Sequence, residues 1–65
     1  MNRIAEVLKK QGRSQSWLAE EIDKNRVTVS GYCRNTIQPS LNVLIEIAKT
    51  LGVDPGELIV SETEN

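Results

Sequence analysis

Residues that start and stop helices punctuate this chain at short intervals, and that punctuation limits what it can fold into. Ser14, Asn25, Ser40 and Asp54 each stand just ahead of a stretch with apolar residues at helical spacing, and Gly12 and Gly52 each follow one. Ser, Asn and Asp side chains accept hydrogen bonds from the free N–H groups of a helix's first turn, and Gly adopts the left-handed conformation that closes the other end. No stretch alternates with period two for long enough to make a strand. An all-α chain of five short helices is the expectation.

The first helix is expected over Asn2 to Gln11, with Ile4, Val7, Leu8 and Gln11 at helical spacing and Lys9 and Lys10 favouring its negative end. Ser14 caps a second, "QSWLAEEI", whose Leu18, Ala19 and Ile22 form an apolar edge with Trp17 to the side. Asp23-Lys24-Asn25 breaks the pattern, and Asn25 caps a third helix through Val29 and Tyr32 to about Asn35. Gly31 inside that helix costs roughly 1 kcal/mol relative to Ala, which points to close approach of a neighbour or to simple tolerance. Thr36-Ile37-Gln38-Pro39 is a non-helical connection. Ser40 then caps the clearest helix, in which Leu41, Leu44, Ile45, Ala48 and Leu51 recur with the helical period. Asp54-Pro55-Gly56-Glu57 opens a fifth through Leu58 to Ile59 or Val60, and residues 61–65 form a polar tail expected to fray. The expected core is Leu18, Ala19, Ile22, Val29, Leu41, Leu44, Ala48, Leu51 and Leu58.

A chain of 65 residues hides only about 60% of the surface its unfolded form exposes, which suits one domain over residues 1–60 and leaves no room for an internal substrate cavity. There is no His, one Cys, one Trp, one Tyr and no Phe, so the usual groups for acid-base or nucleophilic work at neutral pH are scarce and an enzyme is not expected. No cofactor, metal or small-molecule ligand is expected either. Cys33 alone makes neither an intrachain disulfide nor a zinc site, which fits a reducing compartment. It reads as a half-buried small hydrophobe, with an intersubunit disulfide as the alternative. No apolar run approaches the roughly 20 residues of a membrane span, and the start lacks a signal-peptide apolar region, so a cytoplasmic, soluble protein is expected.

The formal net charge of −1 argues superficially against a nucleic-acid partner. It hides an asymmetry. Residues 1–37 carry seven cations against four anions, whereas residues 38–65 carry Lys49 against five carboxylates.

The stretch from residue 14 to 34 has the proportions of a helix-turn-helix, in which the first helix crosses the DNA backbone and the second enters the major groove. Ala19 supplies the small residue such a crossing needs, and Leu18, Ile22 and Val29 supply the apolar lock. From "SQSWLAEEI" through "DKNRVTVSGYCRN" to "QPSLNVLIEIAKTLGV" and "DPGEL", the chain resembles, without gaps, the Cro and phage-repressor type of helix-turn-helix regulator. That resemblance implies a compact five-helix, lambda-repressor-like DNA-binding domain. It also implies a transcriptional regulator, repressor-like, acting as a homodimer on a two-fold operator in double-stranded DNA.

Carried over position by position, the resemblance implies that Asn25, Arg26, Val27, Ser30 and Gly31 face the bases. Gln15 matches a residue that meets a phosphate and braces the recognition helix, and Lys24, Thr28, Arg34 and Asn35 match positions at the backbone or groove edge. The dimer contact is expected from Val53, Leu58, Ile59 and Val60. The residues agree in part: an Arg fork at the start of the recognition helix fits guanine O6 and N7, Val27 offers an apolar face to a thymine methyl, and Ser30 discriminates weakly. Asn25 has a competing task as N-cap. Asp23 and Lys24 stand where many members have Gly and an aliphatic residue, and Asp tolerates left-handed geometry better than most residues. Position 31, often a long polar reader, is Gly here, and Cys33 and Asn35 replace a frequent Glu and Gly.

Other roles stay open at this point. Trp17 covers the core edge, packs on the sugar-phosphate backbone or serves another partner; Tyr32 reads as a core-edge residue; Arg26 and Arg34 also fit as ordinary solvated charges. The alternative function is an antitoxin or anti-repressor that keeps the fold and holds a protein, favoured by the acidic total and by Gly31.

Overall fold

The computed structural model describes residues 1–60, so the polar tail expected at 61–65 lies outside the described residues. Four α-helices follow in order: α1 (Ile4–Gln11), α2 (Gln15–Glu21), α3 (Arg26–Cys33) and α4 (Leu41–Leu51), and a single 3-10 turn, Pro55–Leu58, ends the series. The all-helical class stands as expected.

The caps act where the punctuation put them. Ser14 Oγ accepts from the Trp17 N–H at 3.0 Å, Asn25 Oδ1 from the Thr28 N–H at 2.8 Å and Ser40 Oγ from the Val43 N–H at 3.3 Å. Gly12 and Gly52 end α1 and α4 in the left-handed region, at φ 67° and 70°. The fifth helix is shorter than expected. Asp54 donates its N–H to Glu57 Oε2 at 2.9 Å, which opens the 3-10 turn, but Ile59 is extended at φ −107°, ψ 133° and pairs antiparallel with Asn2. The Arg3 N–H donates to the Leu58 carbonyl at 2.8 Å and the Val60 N–H to the Met1 carbonyl at 3.2 Å. That pairing takes the backbone groups a longer helix would have used, and it also starts α1 at Ile4 rather than Asn2.

One core joins all the elements. Ile4, Leu18, Val29, Ile47 and Leu58 are wholly buried, and each such aliphatic side chain contributes about 1.5–3 kcal/mol of burial. Leu8, Ala19, Ile22, Tyr32, Cys33, Leu44, Ala48 and Leu51 complete it. On α4 the buried stripe is Leu44, Ile47, Ala48 and Leu51, whereas Leu41 is 67% exposed and Ile45 is also at the surface. This corrects the expected core at Leu41 and adds Ile47. The helical period permits either edge of an apolar stripe to face inward, and the docking of α2 and the 3-10 turn against α4 selects the Ile47 side.

Candidate nucleic-acid interface

α2 and α3 pack against each other around Ala19, which is buried, with Leu18, Ile22 and Val29 locking the pair. The reversal between them runs through Asp23 in the left-handed region at φ 56°, which a short side chain tolerates better than a branched one. The Lys24 N–H closes the turn on the Ala19 carbonyl at 2.9 Å. Asn25 then spends its side-chain oxygen on the N-terminus of α3. Its amide group stays at the surface, where Lys24 is exposed as well.

This frame brings Gln15, Arg26, Val27, Ser30 and Arg34 around one shallow groove of about 380 Å³. The helical period explains the gathering: 26, 30 and 34 follow one another at four-residue steps, 27 lies beside 26, and Gln15 reaches in from the start of α2. The lining holds two guanidinium groups, an amide, a hydroxyl and an exposed isopropyl, and no carboxylate. Such a surface is locally basic, rich in hydrogen-bond donors and apolar at one spot. It suits phosphate oxygens and the edges of base pairs.

Several expected site residues lie elsewhere. Gly31 is buried, and a Cβ built there would stand 2.8 Å from Ile37 Cδ1. It therefore presents nothing to a base, and its role is to let the chain after α3 approach. Asn35 lies outside the groove lining. At φ 60° it turns the chain out of α3, its Oδ1 accepts from the Asn2 N–H at 2.7 Å and from Gln38 Nε2 at 3.2 Å, and its Nδ2 donates to the Asn2 carbonyl at 3.3 Å. Its side chain anchors the N-terminal segment. Thr28 is half-buried on the flank of α3, outside the groove lining. Leu58 is wholly buried within the chain and has no side-chain surface exposed, unlike half-exposed Ile59 and the partly buried Val53 and Val60.

Trp17 packs against the core from the side of α2 opposite Gln15, with the Arg13 guanidinium 4.1 Å from the ring centroid. Burial pushes the Cys33 thiol above its ordinary pKa, which keeps it protonated and inert near neutral pH. Two residues escaped the sequence reasoning. Asn2 is the buried knot of the N-terminus, hidden because it precedes an apolar stripe and reads as part of that helix. Ile37 packs on α3 although its segment reads as plain connection, and the signal for it is the glycine at 31, whose cost in a helix points to a close neighbour.

Two helices crossing at a small residue through a left-handed turn, with a basic groove along the second, define a helix-turn-helix. The chain belongs to the helix-turn-helix family, in its Cro and phage-repressor branch, whose family model matches residues 4–58. It is also similar to a crystal structure from Bacteroides fragilis provisionally described as a DNA-binding protein. The two are 45% identical, with a TM-score of 0.88 over 89% of this chain and 94% of that one. A comparison with functionally curated proteins gave no match.

Proposed function

We propose that this chain is a sequence-specific, DNA-binding transcriptional regulator, repressor-like, that inserts α3 into the major groove and acts as a homodimer on a two-fold operator. The observation that carries the reading is the convergence of Gln15, Arg26, Val27, Ser30 and Arg34 on one groove without a carboxylate. Family membership and the Bacteroides fragilis neighbour support DNA binding and a non-enzymatic role. Within the groove, Arg26 reads guanine through its fork, Val27 meets a thymine methyl, Ser30 lies over the bases, and Gln15 and Arg34 hold phosphates, with Lys24 and the Asn25 amide at the edge. Such a protein works in the cytoplasm, on the nucleoid of a bacterium or on phage DNA.

One module of this size buries too little DNA surface for useful discrimination, and a dimer reads two half-sites about 34 Å apart. Ile59, Leu41 and Ile45 are exposed aliphatic residues, and together with Val53 and Val60 they supply apolar surface for the second subunit. The antitoxin alternative loses one support, since Gly31 has a packing reason in Ile37.

The test is selection of bound duplexes from a random library, followed by sedimentation on the selected site. A two-fold sequence carrying two protein chains is expected. Failure to enrich any sequence, or one chain per palindromic site, contradicts the proposal.

A further inference from the structure

Gly31 sits in the middle of α3, on the edge of the helix that also carries Val27 one turn earlier. The space its missing side chain leaves is filled from outside the helix. A Cβ at 31 would meet Ile37 Cδ1 at 2.8 Å, Cγ1 at 3.1 Å and Cβ at 3.4 Å, so the Ile37 side chain lies where a residue at 31 would project. The backbone holds it there. The Gly31 carbonyl accepts from the Thr36 N–H at 3.0 Å, the Ile37 N–H at 3.2 Å and the Thr36 hydroxyl at 3.2 Å, after Asn35 has turned the chain back at φ 60°.

Ile37 nevertheless remains 49% exposed, and Val27 is 76% exposed. Because Ile37 covers position 31, one helical turn on from Val27, the period of α3 sets the two in line along the edge next to Arg26, Ser30 and Arg34. The apolar feature that duplex DNA presents in its major groove is the thymine C5-methyl group.

We propose that Ile37 is a specificity-determining residue: it stands in for the side chain that Gly31 lacks and presents its aliphatic surface to a thymine methyl one helical turn along from the base met by Val27. This rests on α3 entering the major groove, as proposed above, and adds a reader from outside the helix. Burying one methyl group is worth about fourfold in affinity.

On the selected duplex, each thymine is replaced in turn by deoxyuridine, which removes only the methyl group, and the wild type and Ile37→Ala are titrated on every site. The expected result is one thymine per half-site whose methyl group is worth about fourfold to the wild type and nothing to Ile37→Ala. Ile37→Val, which keeps most of the packing on Gly31, should retain part of the preference. Gly31→Ala, which forces Ile37 aside, should lose it.

If the wild type binds DNA but no thymine loses its methyl effect in Ile37→Ala, the assignment is overturned and the DNA-binding proposal stands. A variant weakened equally on thymine and deoxyuridine sites has lost a packing or subunit contact instead, which also overturns it. If the wild type enriches no duplex at all, the DNA-binding proposal fails first and takes this inference with it.

Discussion

Asn2 is the buried polar side chain of the described core, at 7% exposure, and its bonds tie the start of α1 to the end of α3 and the segment after it. Its Nδ2 donates to the Tyr32 carbonyl at 2.9 Å and to Gln38 Oε1 at 3.0 Å, and its Oδ1 accepts from the Ile4 N–H at 3.0 Å. Asn2→Ala leaves the buried Ile4 N–H without a partner and takes one of its two donors from the Tyr32 carbonyl, which keeps the Asn35 N–H at 3.1 Å, and should cost about 1–3 kcal/mol in urea unfolding. A loss under about 0.5 kcal/mol, the size of an ordinary surface change, would show that the knot carries no stability. Cys33 is the residue to probe by pH. Because burial raises its folded pKa, the unfolded chain releases the thiol proton first. Its contribution is therefore fully present below the ordinary thiol range and is lost as pH rises past about 8.5. The stability gap between wild type and Cys33→Ala should narrow above that pH, and parallel curves would contradict the assignment. Asn2 was not legible as a partner residue in the sequence, because its partner Tyr32 lies 30 positions away and no local period encodes it, whereas Gly31 signals a close neighbour through its cost in a helix without saying that the neighbour is Ile37.

At the scale of elements, what was legible were the starts and stops, since a cap is a local interaction among residues three or four apart. Ser14, Asn25, Ser40 and Gly52 do in the fold what their chemistry dictates. The third helix ended early because Asn35 takes the left-handed conformation, and the fifth became a 3-10 turn because Ile59 pairs with Asn2. Both depend on the N-terminal segment arriving from the far end of the sequence. The groove residues were legible through the family resemblance, which implied Arg26, Val27, Ser30 and Arg34, and the helical period that sets these four on one face agrees with it. Asn25 separates the two kinds of role. Asn25→Asp keeps an N-cap acceptor and adds a favourable charge at the helix start, so thermal stability should match or exceed that of the wild type. Duplex DNA binding should nonetheless weaken, because the new carboxylate faces phosphate. Unchanged affinity in that variant would remove Asn25 from the interface.

For the whole molecule, the acidic total and the basic groove are compatible because the charges are apart in the fold. Arg26 and Arg34 line the groove. Asp54 and Glu57 stand outside that lining at the 3-10 turn, where Glu57 lines a second groove with Arg3 and Lys10. A protein of this charge gains little from nonspecific attraction, so its few groove cations must account for most of the salt sensitivity. The most direct measurement is the affinity for the selected duplex across a salt series, for the wild type and for Arg34→Ala. Log affinity should fall linearly with log salt, with a slope near −0.9 per neutralised phosphate, and Arg34→Ala should make that slope shallower by about one unit. Affinity indifferent to salt, or an unchanged slope in Arg34→Ala, would contradict the assignment of this groove to DNA.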